Sequence, residues 1–537
     1  MQQYDCVVTG AMFSPKKRHK KQSKPIAYSK EPTALCEPQY VQKLQTKQIK
    51  NLQKKSKPKI DPVQVLLTAA IFIFLSATIY YILGPISMAA MAIGGVLSSY
   101  HMISSRTKNF EKNKEGRKGP SILLMVLVGS PFLMGALVAY EGATLLESPS
   151  RIILLWAMTI SFWTTMLFVP MSVLSKYRET LQPEITNYPK VSVIIPAYNE
   201  EKVIKQTLES MVETQYPRKE IIFVDDGSTD GTLEIAKQFK KEIMVLHKEN
   251  GGKATALNYG LVYAKGEIIV VVDADTIIGR NSLKEIVKGF EVDEHVAAVA
   301  GNIKVRNRVN LITKCQALEY LTGIQVIRRA FDRFGSITVV PGALGAFKKA
   351  CVSGTGAYGK ETIVEDFDQT IKLLKAGLIT QGSVKAVAYT EAPTTLSDFA
   401  KQRKRWYRGN IQVLKRHSDA LTNPRFGYLQ KLALPYLFLG MIITPIIGFT
   451  ALANVIFGVL SGDAWWVLEA AGIFTVVHFL MCALAIRIDD EDPKLLIYAG
   501  FLLFGFKQIV DFLLLKAILE QLMGKEAKWT SAKRIGV

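Results

Sequence analysis

The sequence predicts an α/β fold, a mostly parallel sheet inserted between two groups of transmembrane helices. Three observations carry that reading. Apolar residues make up 49% of the 537 and gather in blocks near 62–101, 120–141, 151–174, 428–460, 464–487 and 495–519. Several blocks are long enough to cross a hydrocarbon core as helix. Between the third and fourth blocks, short β-branched runs alternate with helical patterns, the signature of a parallel sheet covered on both faces. Acids cluster where those runs end, at the strand edge where such sheets bind ligands.

Taken in order, residues 1–60 form a basic tail with fourteen Lys and Arg against three Asp and Glu. It lacks apolar periodicity and reads as disordered. Its charge fits the bias of cytoplasmic segments beside a first span, with contact to anionic lipid; no nucleic-acid partner is expected. Residues 61–175 hold about four spans. Gly84-Pro85 divides the first two, and the Arg106–Lys118 loop, with six Lys and Arg, returns to the inside. That count places residues 185–425 in the cytoplasm. Residues 426–520 form a C-terminal group of transmembrane or interfacial helices, and 521–537 a second basic tail. An inside terminus favours an even count of four C-terminal spans, with weak support from the acidic loop Asp489–Asp492. The expected setting is a multi-pass protein of the cell membrane.

In the middle region, strands are expected at Val191–Pro196, Glu220–Val224, Ile243–His247, Glu267–Val272 and Val296–Ala300. Helices are expected at 200–213, 231–240, 253–264 and 281–290. The five cysteines are widely spaced with no CxxC, which removes disulfide-scaffold and zinc-finger readings. No Gly-x-Gly-x-x-Gly follows the first strand and no Walker lysine pattern is present, so dinucleotide oxidoreductases and P-loop ATPases lose their main support.

The second strand runs into Asp225-Asp226-Gly227, where strand-end acids can accept hydrogen bonds from a base or ribose. Asn250-Gly251-Gly252-Lys253 opens a helix, and Lys253 there suits a diphosphate. The fourth strand ends in Asp273-Ala274-Asp275, alternate carboxylates expected at an exposed rim, where a divalent cation could bridge them to diphosphate oxygens. Val340–Phe347, including Gly345, is a small-residue run suited to a backbone wall against a sugar. In Thr362–Asp368, Glu365 and Asp366 either cap a helix over 369–376 or face the diphosphate site, where a carboxylate can take a proton from an attacking hydroxyl. Gln402-Arg403-Lys404-Arg405-Trp406 puts cations and aromatics on one short helix, fit for phosphate and sugar-ring contacts.

These motifs in this order, over about 188–415, resemble family 2 glycosyltransferases, and within them the processive membrane group. Tyr389–Pro393 looks most like the poly-N-acetylglucosamine and chitooligosaccharide branch. The resemblance implies a GT-A type nucleotide-sugar fold and inverting transfer of a sugar, N-acetylglucosamine first, from a UDP-sugar to a growing β-linked polysaccharide. It implies Asp225 and Asp226 at uridine and Lys253 at the diphosphate. Asp273 and Asp275 would hold Mg2+ or Mn2+, with Asp273 also at the sugar nucleotide. Asp366 would be the general base. Gln402, Arg405 and Trp406 would hold the diphosphate, with Glu365, Gly345 and Trp406 at the acceptor. An accessory export subunit is a further possible partner. Val364 departs from the pattern, standing where many members carry Thr or another small residue, and four N-terminal blocks exceed the two of several relatives. The alternatives are transfer of a single sugar to a lipid phosphate, and a regulatory protein that keeps the fold without catalysis. The set from Gln402 to Trp406 favours polymer synthesis over the first. The joint presence of Asp273, Asp275, Asp366 and Trp406 opposes the second.

Overall fold

The computed structural model describes residues 61–104, 165, 168–177, 184–185, 188–460, 464–525 and 535–536. The expectations for the N-terminal tail, the 106–118 loop, the 120–141 block and most of 151–174 lie outside those residues.

The sheet forms where the β-branched runs are. Strands β1 (Val191–Ala197), β2 (Lys219–Asp225), β3 (Met244–His247) and β4 (Ile268–Val271) pair in parallel, in the order β3-β2-β1-β4. Alternate side chains point to opposite faces. Val193, Ile195, Phe223 and Val270 therefore enter one apolar core, while Ile194, Ile222, Val224, Ile269 and Val271 enter a second. Both faces are covered, which is why these strands read as unbroken apolar runs rather than as alternation. Each such fully buried side chain contributes roughly 1.5–3 kcal/mol.

Beyond β4 the sheet changes character. Its eight strands run β3-β2-β1-β4-β7-β6-β8-β5. The other half consists of β5 (Thr276–Ile278), β6 (Val296–Val305), β7 (Gly345–Lys348) and β8 (Ile379–Thr390). Strand β7 is antiparallel to both β4 and β6, and β5 is antiparallel to β8; only β6 and β8 are parallel. The expected mostly parallel sheet thus holds for the first half, and the whole is mixed. The reason is connectivity. Strand β7 is entered from the irregular stretch 333–344, which follows the helical segment 311–332 and leads the chain back antiparallel to β6 and β4.

The helices begin with α1 (Pro62–Ser104), a single helix with Pro85 inside it. The turn expected at Gly84-Pro85 is absent. Proline removes one N–H and disturbs one turn, which an apolar helix of this length tolerates. Around the sheet lie α2 (Ile204–Glu213), α3 (Thr232–Lys237), α4 (Lys253–Tyr263) and α5 (Ser282–Lys288). Next, α6 (Leu311–Glu319) passes through a π-helical stretch, Tyr320–Gln325, into α7 (Val326–Asp332). Then come α8 (Glu365–Lys375) and α9 (Leu396–Arg416). The C-terminal apolar cluster contains α10 (Thr444–Leu460), α11 (Ala464–Ile488) and α12 (Lys507–Leu522). Among the described residues, two helical stretches are long and apolar enough to cross a membrane, Leu429–Thr450 and Ala471–Ile488.

The loop after α11 docks on the sheet domain. Four crossings in the C-terminal group would set Asp489–Asp492 apart from that domain. Instead, Asp489 is buried against that domain, 2.8 Å from Arg329, 3.1 Å from Lys304 and accepting from Asn302 at 3.0 Å. Arg308 grips Glu491 with both Nη atoms at 2.8 and 3.1 Å, and Lys176 lies 2.5 Å from Asp490. Helix α12 then packs along α9, with Lys404 2.8 Å from Glu520. A buried carboxylate must find such partners, and they stand on β6 and α7 rather than in an apolar phase.

Candidate active site

The site lies where β2, β4 and the N-termini of α4 and α8 converge. At the end of β2, Asp225 accepts from Ser228 N at 3.2 Å and sits 2.7 Å from His247 Nδ1, at the end of β3. Asp226 accepts from Gly251 N and Gly252 N at 3.1 and 2.8 Å and pairs with Lys248 at 2.5 Å. Both carboxylates are almost fully buried. Their immediate work is to shape loops. Gly227, at φ +77°, comes so close to Asn250 that an added Cβ would lie 2.7 Å from its backbone nitrogen.

The Gly251-Gly252 loop held by Asp226 delivers Lys253 at the first turn of α4. Its ammonium lies 2.6 Å from Asp273 and 2.9 Å from Glu365, tying β4 to the start of α8. Burial works against the ammonium, but Asp273, Glu365 and Asp366 overcome it and its pKa is raised. Gly342 closes the site from above. A Cβ there would meet Lys253 Nζ at 2.5 Å and Asp273 Oδ1 at 3.2 Å, so a larger residue would displace the lysine from its place beside Asp273.

Asp366 is half-buried beside this cluster. One oxygen accepts from Gly342 N at 3.1 Å and the other from Phe367 N at 2.8 Å. Burial and the neighbouring Glu365 charge push its pKa up to about 6, against Lys253 and the two backbone donors. A carboxylate with that pKa, in a site of fixed donors, is suited to accept a proton near neutral pH. Arg328 of α7 also feels the Asp366 charge. It donates to Gly301 O at 2.9 Å, and burial lowers its pKa to about 10 against that attraction.

The two acids after β4 part company. Asp273 is one-third exposed, whereas Asp275 is buried and its Oδ1 accepts from the hydroxyls of Thr276 and Thr390 at 3.0 and 3.3 Å. The expected rim of two carboxylates is therefore one, because the β5–β8 pairing of Thr276 with Thr390 turns Asp275 inward. No group of three or more His, Cys, Asp or Glu comes together among the described residues. The donors fit a hard cation such as Mg2+ or Mn2+, which keeps water and takes phosphate oxygens beside one or two carboxylates. Gly345, expected at the acceptor, is buried within β7, where a Cβ would meet Pro341 O and Val340 at 2.8 Å. Gly342 is the glycine that faces the site.

On α9, Gln402 is buried, while Arg405 and Trp406 are half-buried. Arg403 stacks its guanidinium 4.5 Å over Trp406 and pairs with Glu319 at 2.5 Å. Tyr358 places a buried hydroxyl near Glu365, Lys253 and Asp366. Four site residues escaped sequence reading, His247, Lys248, Arg328 and Tyr358, and Gly342 was expected only as part of the Val340–Phe347 wall. The pair His247-Lys248 at the end of β3, opposite the adjacent acids at the end of β2, was the available signal for the first two.

With this geometry in hand, comparison with known proteins is informative. Residues 192–353 match the model of glycosyl transferase family 2. The chain is 33% identical over 229 residues to a poly-beta-1,6-N-acetyl-D-glucosamine synthase of Staphylococcus aureus strain COL. The aligned part is 42% of this chain and 56% of that protein. The synthase of that name from Staphylococcus epidermidis is 34% identical over the same shares. The chain thus spans little more than half the length of these relatives. Among solved structures, the mannosyltransferase PcManGT from Pyrobaculum calidifontis, in complex with GDP-Man and Mn2+, aligns at 22% identity with a TM-score of 0.48. That alignment covers 66% of this chain and 96% of the other.

Proposed function

We propose that this chain, whose residues 192–353 form a glycosyl transferase family 2 domain, transfers N-acetylglucosamine from a UDP-sugar to a growing β-linked polysaccharide at a membrane. The observation that carries the reading is Asp366, with its pKa raised to about 6, beside a lysine bridged between Asp273 and Glu365. Asp225 and Asp226 would shape the uridine pocket through the loops they hold. Lys253 would leave its carboxylate partners for the diphosphate. Asp273, with Asp275 behind it, would hold Mg2+ or Mn2+, which when bound supplies positive charge to the departing diphosphate.

Asp366 takes the proton as the acceptor hydroxyl oxygen bonds to C1 of the donor sugar. The bond from C1 to the diphosphate oxygen breaks on the opposite face, its electron pair leaving with UDP, so the configuration at C1 inverts. Trp406 gives a flat face to the acceptor sugar, and Arg405 with Gln402 orients the diphosphate. Alignment of these groups supplies much of the rate. The domain works on the cytoplasmic side of a multi-pass chain in the cell membrane, where cytoplasmic UDP-sugars are at hand. Export of the polymer would involve the apolar helices and, in some settings, an accessory subunit.

The test is transfer by purified protein in detergent or nanodiscs, with labelled UDP-sugars and Mg2+ or Mn2+, and Asp366→Asn as control. Polymer from UDP-N-acetylglucosamine, lost in the variant, is expected. A single sugar placed on lipid would replace the polymer reading with lipid glycosylation.

A further inference from the structure

The C-terminal half of α9 lies along the segment that carries the base. Gly409 is so close to Val364 that an added Cβ would come within 2.6 and 2.7 Å of its two methyl carbons, and 3.1 Å from Ile363. One turn on, Gln412 Oε1 accepts from Ile363 N at 3.2 Å. At the end of the helix, Arg416 pairs with Glu361 at 2.9 Å and lies 3.4 Å from Asp368, and His417 Nε2 lies 3.0 Å from the same carboxylate. Positions 409, 412 and 416 repeat at three- and four-residue spacing, so they form one face of the helix. That face meets residues 361–368, with Glu365 and Asp366 in their middle.

Asp368 is a buried acid that the chemistry above does not use. Its side chain is 1% exposed, and Lys372 pairs with it at 2.8 Å in addition to His417 and Arg416. Burial opposes its charge, yet His417 and Lys372 hold its carboxyl down at about 2. A buried carboxylate with partners from two helices ties them in one register. The Gly409–Val364 contact then sets how near they approach, since a packed contact has no slack for another methyl.

We propose that Gly409 and Asp368 are positioning residues, which make α9 the ruler that fixes where Asp366 stands against the acceptor hydroxyl. Val364 is the partner that Gly409 accommodates, so the two positions are size-matched. The motif from Gln402 to Trp406 and the base are thereby held by one rigid helix. This rests on the transferase reading above.

The test is a size swap. Gly409→Ala is expected to lower kcat about 30-fold while the UDP-sugar KM changes less than about 2-fold, in keeping with the cost of small misplacements. Val364→Ala alone is expected to cost no more than about 3-fold, and the double variant to recover to within about 3-fold of wild type. Asp368→Asn keeps the volume and removes the charge; a kcat loss of about 10-fold at unchanged donor KM is expected. Melting temperature and UDP binding are measured on every variant. Full activity in Gly409→Ala, or a loss that Val364→Ala does not rescue in a folded, UDP-binding protein, overturns the proposal. Absence of transfer in the wild type overturns the functional reading instead. The size match is then judged by recovery of melting temperature in the double variant, and its absence overturns the match as well.

Discussion

The two halves of the sheet hold their functional residues by different means. In the parallel half, β3-β2-β1-β4, carboxylates act on backbone: Asp226 organises Gly251 and Gly252, and Asp225 organises Ser228. In the mixed half and its helices, side chain meets side chain across long stretches of sequence. Arg329 reaches Asp489, Arg403 reaches Glu319, and Asp368 is reached from His417. Backbone-organised loops tolerate loss of one contact, because the turn geometry persists. A buried charge that loses its partner remains buried and uncompensated. The first half is held by backbone-organised loops; the second half depends on its ion pairs being complete.

Substitutions can break or sharpen that contrast, and the largest effect is expected where the halves meet. Lys253→Met removes the cation between Asp273 and Glu365 and leaves Asp366 beside uncompensated acids. A fall in kcat/KM of about a thousandfold is expected in steady-state transfer assays, as for loss of a charged group at a developing charge. Asp489→Asn comes next. It removes the buried carboxylate charge that faces both Arg329 and Lys304, and a stability loss on the order of 3 kcal/mol is expected, read as a lower unfolding midpoint, as when one member of a buried charged pair is removed. Smallest is Asp226→Asn, which weakens the hold on the Gly251-Gly252 loop. The UDP-sugar KM should rise about 10-fold with kcat little changed, since a charge-assisted hydrogen bond contributes about 1.5 kcal/mol. A loss of kcat larger than that of Lys253→Met would show that the parallel half is no more tolerant than the other.

The contrast also explains what could be read in advance. Strands β1 to β4 and α2 to α5 were legible within a few residues, because apolar runs and glycine-rich turns are local signals. Asp225, Asp273 and Asp366 stood out because acids follow such runs, and Lys253 because it opens a helix behind two glycines. By contrast, β7 is four residues long and opens on a glycine, and β8 has an irregular apolar pattern with register shifts in its pairing to β6. Neither leaves a local trace. The inward turn of Asp275 depends on Thr390, more than a hundred residues away, and the docking of Asp489 on Arg329 spans still more. Gly409 looked like an ordinary helix residue, and only its distance from Val364 gives it a role.

The central claim is that Asp366 is the base and that its burial sets its proton affinity. The pH dependence of kcat/KM, which reports the ligand-free site, tests it most directly. The ionised carboxylate is the active form and its pKa is raised to about 6, so the rate should rise with pH through about 6 and level off above it. In Lys253→Met the same limb should move to higher pH, because the cation that favours the carboxylate is gone. A rate that is flat from pH 5 to 8 in the wild type, or a limb that Lys253→Met leaves in place, would contradict the account.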